Sequence, residues 1–161
     1  MIFIVSDTHE NVPVIKKAVK FMLSRSPELV IHCGDIISPP VLTHFSPLPM
    51  RFVFGNNDGE RAGLTAKCSE LGFGEIDDTL ELEMHGKKLF AYHGTSFRTL
   101  SSYIESQKYD YIFTGHTHEV RDEVVGKTRI VNPGALFAAS RYTIAELDVP
   151  TGAIDFIEIE R

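Results

Sequence analysis

IFIVSDTHENVPVIKKAVKFML, residues 2–23, decides the fold. Ile2-Phe3-Ile4-Val5 is apolar without alternation, the pattern of a strand buried on both faces. Ser6-Asp7-Thr8-His9 then turns polar at once. Asn11 stands as a helix cap with Pro13 in the first turn. Val14, Ile15, Ala18, Val19, Met22 and Leu23 follow with a 3.6-residue period. Lys16, Lys17 and Lys20 fall between them as one solvated face. A buried strand that feeds a helix through a short polar turn opens a βαβ unit, whose strands run parallel.

Working outward, the same device repeats. Leu29 to Cys33 is a second apolar run that ends at Gly34-Asp35, and Arg51 to Phe54 a third that ends at Gly55-Asn56-Asn57-Asp58. A helix is expected over about residues 60 to 71, with Gly72 as its stop. After that the period changes to two. Thr79 to Met84 and Lys87 to Tyr92 form a hairpin about His85-Gly86. A helix near residues 97 to 107 leads to a strand at Asp110 to Thr114. Glu119 to Val125 pairs with Lys127 to Val131, and Tyr142 to Val149 with Ala153 to Ile159. Parallel units first and antiparallel strands later predict one α/β domain over residues 1–161, with two sheets in the middle and helices outside.

A chain of 161 residues buries about 70% of its unfolded surface, so it needs no staples. Two cysteines, Cys33 and Cys68, make no disulfide framework and point to a reducing compartment. The first residues carry no basic leader, and no apolar run is long enough for a membrane span, so a cytoplasmic, membrane-free protein is expected. The net charge of −6 comes without a basic stripe, which argues against stable nucleic-acid binding. If the protein binds phosphate, something other than side-chain cations must supply positive charge.

Asp7, His9, Asp35, Asn56, His93, His116 and His118 are the candidates to hold it. Each lies just past a strand, so five segments deliver polar ligand types to the edge where open α/β sheets place their sites. Asp7 and His9, like His116 and His118, are two residues apart. In an extended segment such residues point opposite ways, so the backbone must turn or the site must hold two ions. Mixed carboxylate, imidazole and amide ligands suit Mn²⁺, Fe²⁺, Zn²⁺ or Ni²⁺ better than Ca²⁺. Two divalent ions against the two carboxylates leave a positive cluster, able to attract phosphate and to activate a bridging water.

Asp-x-His, Gly-Asp, Gly-Asn-x-Asp, His-Gly and Gly-His-Thr-His, in this order, resemble the calcineurin-like metallophosphoesterase family. The short chain with Val131-Asn132-Pro133-Gly134 is similar to its small phosphodiesterase subgroup. The resemblance implies a four-layer αββα sandwich of two mixed sheets. It implies a first ion on Asp7, His9, Asp35 and His118, and a second on Asn56, His93 and His116, with Asp35 bridging. Catalytic roles then fall to Asp35, Asn56 and His116, with Mn²⁺ the expected metal and Ni²⁺, Fe²⁺ or Zn²⁺ as alternatives. The implied activity is hydrolysis of a small phosphodiester by a hydroxide bridging the metals. A phosphomonoesterase or nucleotide phosphatase on the same site is the alternative enzyme, and a scaffold like the related retromer subunit the non-enzymatic one. Two positions depart from the family pattern. Asn57 stands where many members have a histidine that assists the leaving group, and Glu10 where glycine is common.

Around the seven, Asp58 is expected either to orient a ligand histidine or to cap the helix after Gly59. Asn132 is expected to fix a turn. Arg61, Arg98 and Arg141 are candidates for substrate phosphate or ordinary surface residues. His32 reads as structural, His44 and His85 as solvent-exposed, and Cys33 as an inert buried thiol. Exposed hairpin strands offer an edge for a homodimer.

Overall fold

Strand β1 (Ile2–Val5) is buried along its whole length, and the rest of the computed structural model, which describes residues 1–161, is arranged about it. Successive side chains of a strand point to opposite faces. Phe3 and Val5 therefore join a core of 23 buried residues shared with helices, while Ile2 and Ile4 join one of 14 residues between two sheets.

The chain continues through α1 (Val12–Ser24), β2 (Leu29–His32), α2 (Pro39–Leu42), β3 (Met50–Phe52) and α3 (Arg61–Leu71). It then runs through β4 (Thr79–Met84), β5 (Lys87–Tyr92), α4 (Phe97–Glu105) and β6 (Tyr111–Phe113). Strands β7 (Val120–Val125), β8 (Thr128–Pro133), β9 (Thr143–Leu147) and β10 (Ile154–Glu158) complete it. One sheet has the order β10-β9-β1-β2-β3 and the other β4-β5-β6-β8-β7. In the first, β1, β2 and β3 are parallel and β9 joins antiparallel. In the second, β5, β6 and β8 are parallel and a hairpin partner flanks them on each side. Both sheets are mixed.

The four layers follow from where the apolar side chains go. Val14, Ile15, Ala18, Val19 and Met22 of α1 meet Phe3 and Val5 on one outer face, together with Leu64 and Cys68 of α3. On the other, Leu100 and Ile104 of α4 meet Phe90, Ile112 and Ile130. Lys16, Lys17 and Lys20 of α1 are exposed, as the helical period requires. No helix is long and apolar enough to cross a membrane.

Two local features add to or differ from the sequence reading. Between β2 and β3, Pro39-Pro40 opens α2, which continues into a 3₁₀ turn at Thr43–Phe45. Proline is compatible with a first helical turn because the N–H it lacks is unpaired there anyway. Asn11 occupies the N-cap position of α1 without capping it. Its Nδ2 instead donates to the Leu136 carbonyl at 2.7 Å, which ties the loop after β1 to the loop after β8.

Candidate metal centre

The strand ends solve the pointing problem by backbone geometry. Asp7 (φ 50°), His9 (φ 45°), Asp35 (φ 61°), His116 (φ 70°) and His118 (φ 60°) all lie in the left-handed region. Each such residue without glycine's freedom costs about 1–2 kcal/mol, and strain of this kind clusters at functional sites. The kinks let residues two apart serve one place. Backbone bonds hold them there: Asp7 N–H donates to Gly34 O and His9 N–H to Asp35 O, both at 3.0 Å. Close approach is also required. A Cβ on Gly115 would lie 1.9 Å from Ser6 Oγ and 2.7 Å from Asp7 Oδ2.

All seven candidates meet in one connected group. His118 Nε2 is 3.3 Å from Asp7 Oδ1, and His9 Nε2 is 3.6 Å from Asp35 Oδ2. His93 Nε2 lies 3.5 Å from Asp35 Oδ1 and 4.0 Å from Asp7 Oδ1. Asn56 Oδ1 is 3.0 Å from His93 Nε2 and 2.9 Å from His116 Nδ1. Two sets of donor atoms lie within 4.8 Å of one another: Asp7, His9, His118 and Asp7, Asp35, His93. Asp7 belongs to both sets, and Asp35 reaches His9 as well as His93. Asp7 and Asp35 each lie near histidines of both implied ion sites, and the resemblance gives the bridging place to Asp35.

The donor set fits a cation. Asp7 Oδ1 and His9 Nε2 are buried with no hydrogen-bond partner, an arrangement that is costly unless something else binds them. His93 Nδ1 donates to the Cys33 carbonyl at 2.7 Å, so Nε2 of the singly protonated ring keeps a lone pair 3.0 Å from Asn56 Oδ1, itself an acceptor, and a cation can join the two. His118 Nδ1 likewise donates to Ala138 O at 3.3 Å and leaves Nε2 toward Asp7. A backbone carbonyl that fixes the far ring nitrogen is how metal-ligating histidines are commonly oriented. Burial pushes the Asp7 carboxyl up, against the pull of His93, Ser6, His118 and the His116 N–H. Burial also pushes the His9 imidazole down, against the pull of Asp35 and Asp7, which favours its neutral ligand form. Asp7 and Asp35 are both buried, and their only charge partners are histidines.

Residues outside the seven hold the loops. Asp58 is buried, and its carboxylate accepts four backbone N–H groups: Asp35 (3.0 Å), Ile36, Ile37 and Gly55 (each 2.7 Å). Neither sequence expectation for Asp58 stands, because it bonds no histidine and the N-cap of α3 is Glu60. It clamps the Asp35 loop to the Asn56 loop. Asn57 braces Asp35 directly, with N–H to Oδ1 at 2.9 Å and Nδ2 to Oδ2 at 2.7 Å. His32 accepts from Gly34 N–H at 3.2 Å through Nδ1 and donates to Thr8 Oγ1 at 2.9 Å through Nε2. Burial pushes its pKa down to about 3, so it is a fixed neutral strut between two ligand loops. Asn132 Nδ2 donates to Gly115 O at 2.8 Å, and its Oδ1 accepts Gly134 N–H at 3.0 Å, so it holds both its own turn and the His116–His118 loop.

Ser6, whose Oγ donates to Asp7 Oδ2 at 2.6 Å, is a contributor that the sequence reading missed. A hydroxyl beside a candidate carboxylate was the only available signal. Cys33 is buried and its thiol is pushed well above its ordinary value, as an inert group requires. His85 is exposed, but His44 is half-buried where exposure was expected. Arg61 pairs with Asp78 at 2.7 Å and Arg141 with Glu158 at 2.8 Å. Arg98 is exposed.

Comparison with known proteins identifies the domain. Residues 1–152 match the calcineurin-like phosphoesterase superfamily domain. A phosphodiesterase of Methanocaldococcus jannaschii is 38% identical over 134 residues, 81% of each chain. The structure of an archaeal phosphodiesterase superposes with a TM-score of 0.93 at 35% identity, covering 98% of this chain and 99% of that one. Vps29 of Chaetomium thermophilum shares the architecture alone, with a TM-score of 0.71 at 12% identity over 99% of this chain and 98% of its own. Strand ends that deliver carboxylate, amide and imidazole donors to one connected group, within a domain matched nearly end to end, place the chain in the calcineurin-like phosphoesterase superfamily.

Proposed function

We propose that this protein is a metal-dependent phosphodiesterase acting on a small phosphoester. The observation that carries the reading is the pair of orphaned donors, Asp7 Oδ1 and His9 Nε2, beside two buried carboxylates without a lysine or arginine partner. Asp7, His9, Asp35 and His118 hold one divalent ion. Asn56, His93 and His116 hold a second, with Asp35 shared. Mn²⁺ is the expected metal, with Ni²⁺, Fe²⁺ and Zn²⁺ as alternatives. Such a pair, when bound, supplies Lewis-acid activation of water and neutralises charge developing on the phosphoryl oxygens.

The chain's own part is positioning. Asp58 and His32 set the loops, Asn57 braces Asp35, and backbone carbonyls fix the rings of His93 and His118. Catalytic roles fall to Asp35, Asn56 and His116. Asn57 is an amide and cannot protonate a leaving group near neutral pH, so the favoured substrates are diesters of low-pKa alcohols such as phenols. Cytoplasmic residence fits two unpaired buried cysteines. The edge strand β7 (with Val120 and Val124 exposed) offers the route to a homodimer.

The test combines metal analysis with turnover. Protein dialysed against Mn²⁺ should carry two ions per chain and hydrolyse bis(p-nitrophenyl) phosphate faster than p-nitrophenyl phosphate. Asp35→Ala should lose both ions and essentially all turnover. Metal-free wild-type protein after loading, or a monoester preference, sinks the reading.

A further inference from the structure

Three cavities border the candidate centre, one of about 290 Å³ beside His116, and the two larger ones differ in chemistry. On the Asn56 side a cavity of about 490 Å³ is lined by the charged pair Arg61 and Asp78 and by threonines, with Phe54, Tyr92 and Tyr103 beside them. On the His9 side a cavity of about 480 Å³ is lined by His9, Glu10, Asn11, Ile37, Phe137 and Tyr142. Both volumes are within the range of small-molecule sites. A phosphodiester carries two substituents, so an asymmetric pair of cavities can tell them apart.

The second cavity is built for a flat apolar group. Phe137 is 40% exposed, although large apolar side chains are usually covered. Its ring stacks on the His9 imidazole with centroids 4.4 Å apart and planes at 26°. Phe137 therefore runs directly from a candidate ligand into the cavity. Tyr142 and Ile37 add apolar surface. Asn11 is engaged with Leu136 O, and Glu10 Oε1 accepts from Ser38 Oγ at 2.6 Å. The carboxylate at the rim disfavours a second anionic group.

We propose that this cavity takes a neutral aromatic substituent of the phosphoester, an aryl ring or a nucleobase, stacked on Phe137 while the phosphorus centre sits at His9 and its neighbours. The inference rests on the phosphoesterase reading above. It makes Phe137 a specificity-determining residue.

The test is titration calorimetry on Mn²⁺-loaded protein with two matched pairs of ligands. Phenylphosphonate is compared with methylphosphonate, and adenosine 5′-monophosphate with ribose 5-phosphate. The expected result is at least one aromatic member bound on the order of tenfold tighter than its partner, and the pair that shows it identifies aryl or nucleobase. Phe137→Ala should abolish that ratio. Equal affinities within both pairs overturn the proposal on the unmodified protein. A Phe137→Ala variant that weakens both members of a pair equally also overturns it, because the ring then serves only to support His9. Failure of all four ligands to bind overturns the phosphoester reading along with the pocket, whereas binding without discrimination overturns the pocket alone.

Discussion

At the scale of the residue, two positions carry distinct and separable work. Asp58 receives four N–H bonds from two loops. Its removal leaves four N–H donors, three of them buried, in want of an acceptor, at about 1–3 kcal/mol for a buried unsatisfied group. Asp58→Ala should therefore lower unfolding free energy by about 3 kcal/mol or more in urea titrations and weaken Mn²⁺ binding, although Asp58 is no ligand. Unchanged metal affinity would show that the clamp is dispensable. Asn57 bears on leaving-group chemistry. Asn57→His restores an acid at that place, so the slope of log kcat against leaving-group pKa over a diester series should become shallower than in the unmodified protein. An equal slope in both proteins would remove Asn57 from the account of substrate preference.

At the scale of the element, the strand-end turns separate structural from functional glycines. Gly72 ends α3 in the left-handed conformation (φ 75°), and a Cβ there meets nothing within 4 Å. Gly72→Ala should cost about 1 kcal/mol of stability with metal content intact. At Gly115, by contrast, the added carbon would collide with Ser6 and Asp7. Gly115→Ala should lower Mn²⁺ affinity at least tenfold, read by calorimetry. Equal effects of the two variants on metal binding would refute the placement of the Gly115 turn. Both glycines were visible in the sequence as punctuation, and α3 stops at Gly72 as expected. The distinction between them was not visible, because the atoms Gly115 must avoid belong to a segment more than a hundred residues earlier.

At the scale of the whole molecule, the centre draws on both sheets. Asp7, His9, Asp35 and Asn56 follow β1, β2 and β3 of one, and His93, His116 and His118 follow β5 and β6 of the other. An ion bound by these residues would stitch the sandwich together at one edge. A ligand at one hundred times its Kd stabilises the folded state by about 2.7 kcal/mol, which for a chain of this size raises Tm by roughly 5–10 °C. Mn²⁺ should produce such a rise in calorimetry and a chelator should reverse it. A Tm indifferent to both would contradict ligands contributed by two sheets.

The sequence by itself determined the layers and the candidate ligand positions. Apolar runs without alternation require burial on both faces, and a polar turn after each such run, or after the alternating strand before His93, puts Asp7, His9, Asp35, Asn56, His93, His116 and His118 at strand ends whatever the details. The order of motifs already resembled the family to which the chain belongs. Only the tertiary structure decided how residues two apart come to face one place: left-handed backbone at five positions, which no residue type announces. It also decided that Asp58 clamps loops where the local pattern offered a helix cap, and that Phe137 stacks on His9. Those facts depend on contacts between segments far apart in the chain. Local propensity is blind to such contacts, and packing alone brings them about.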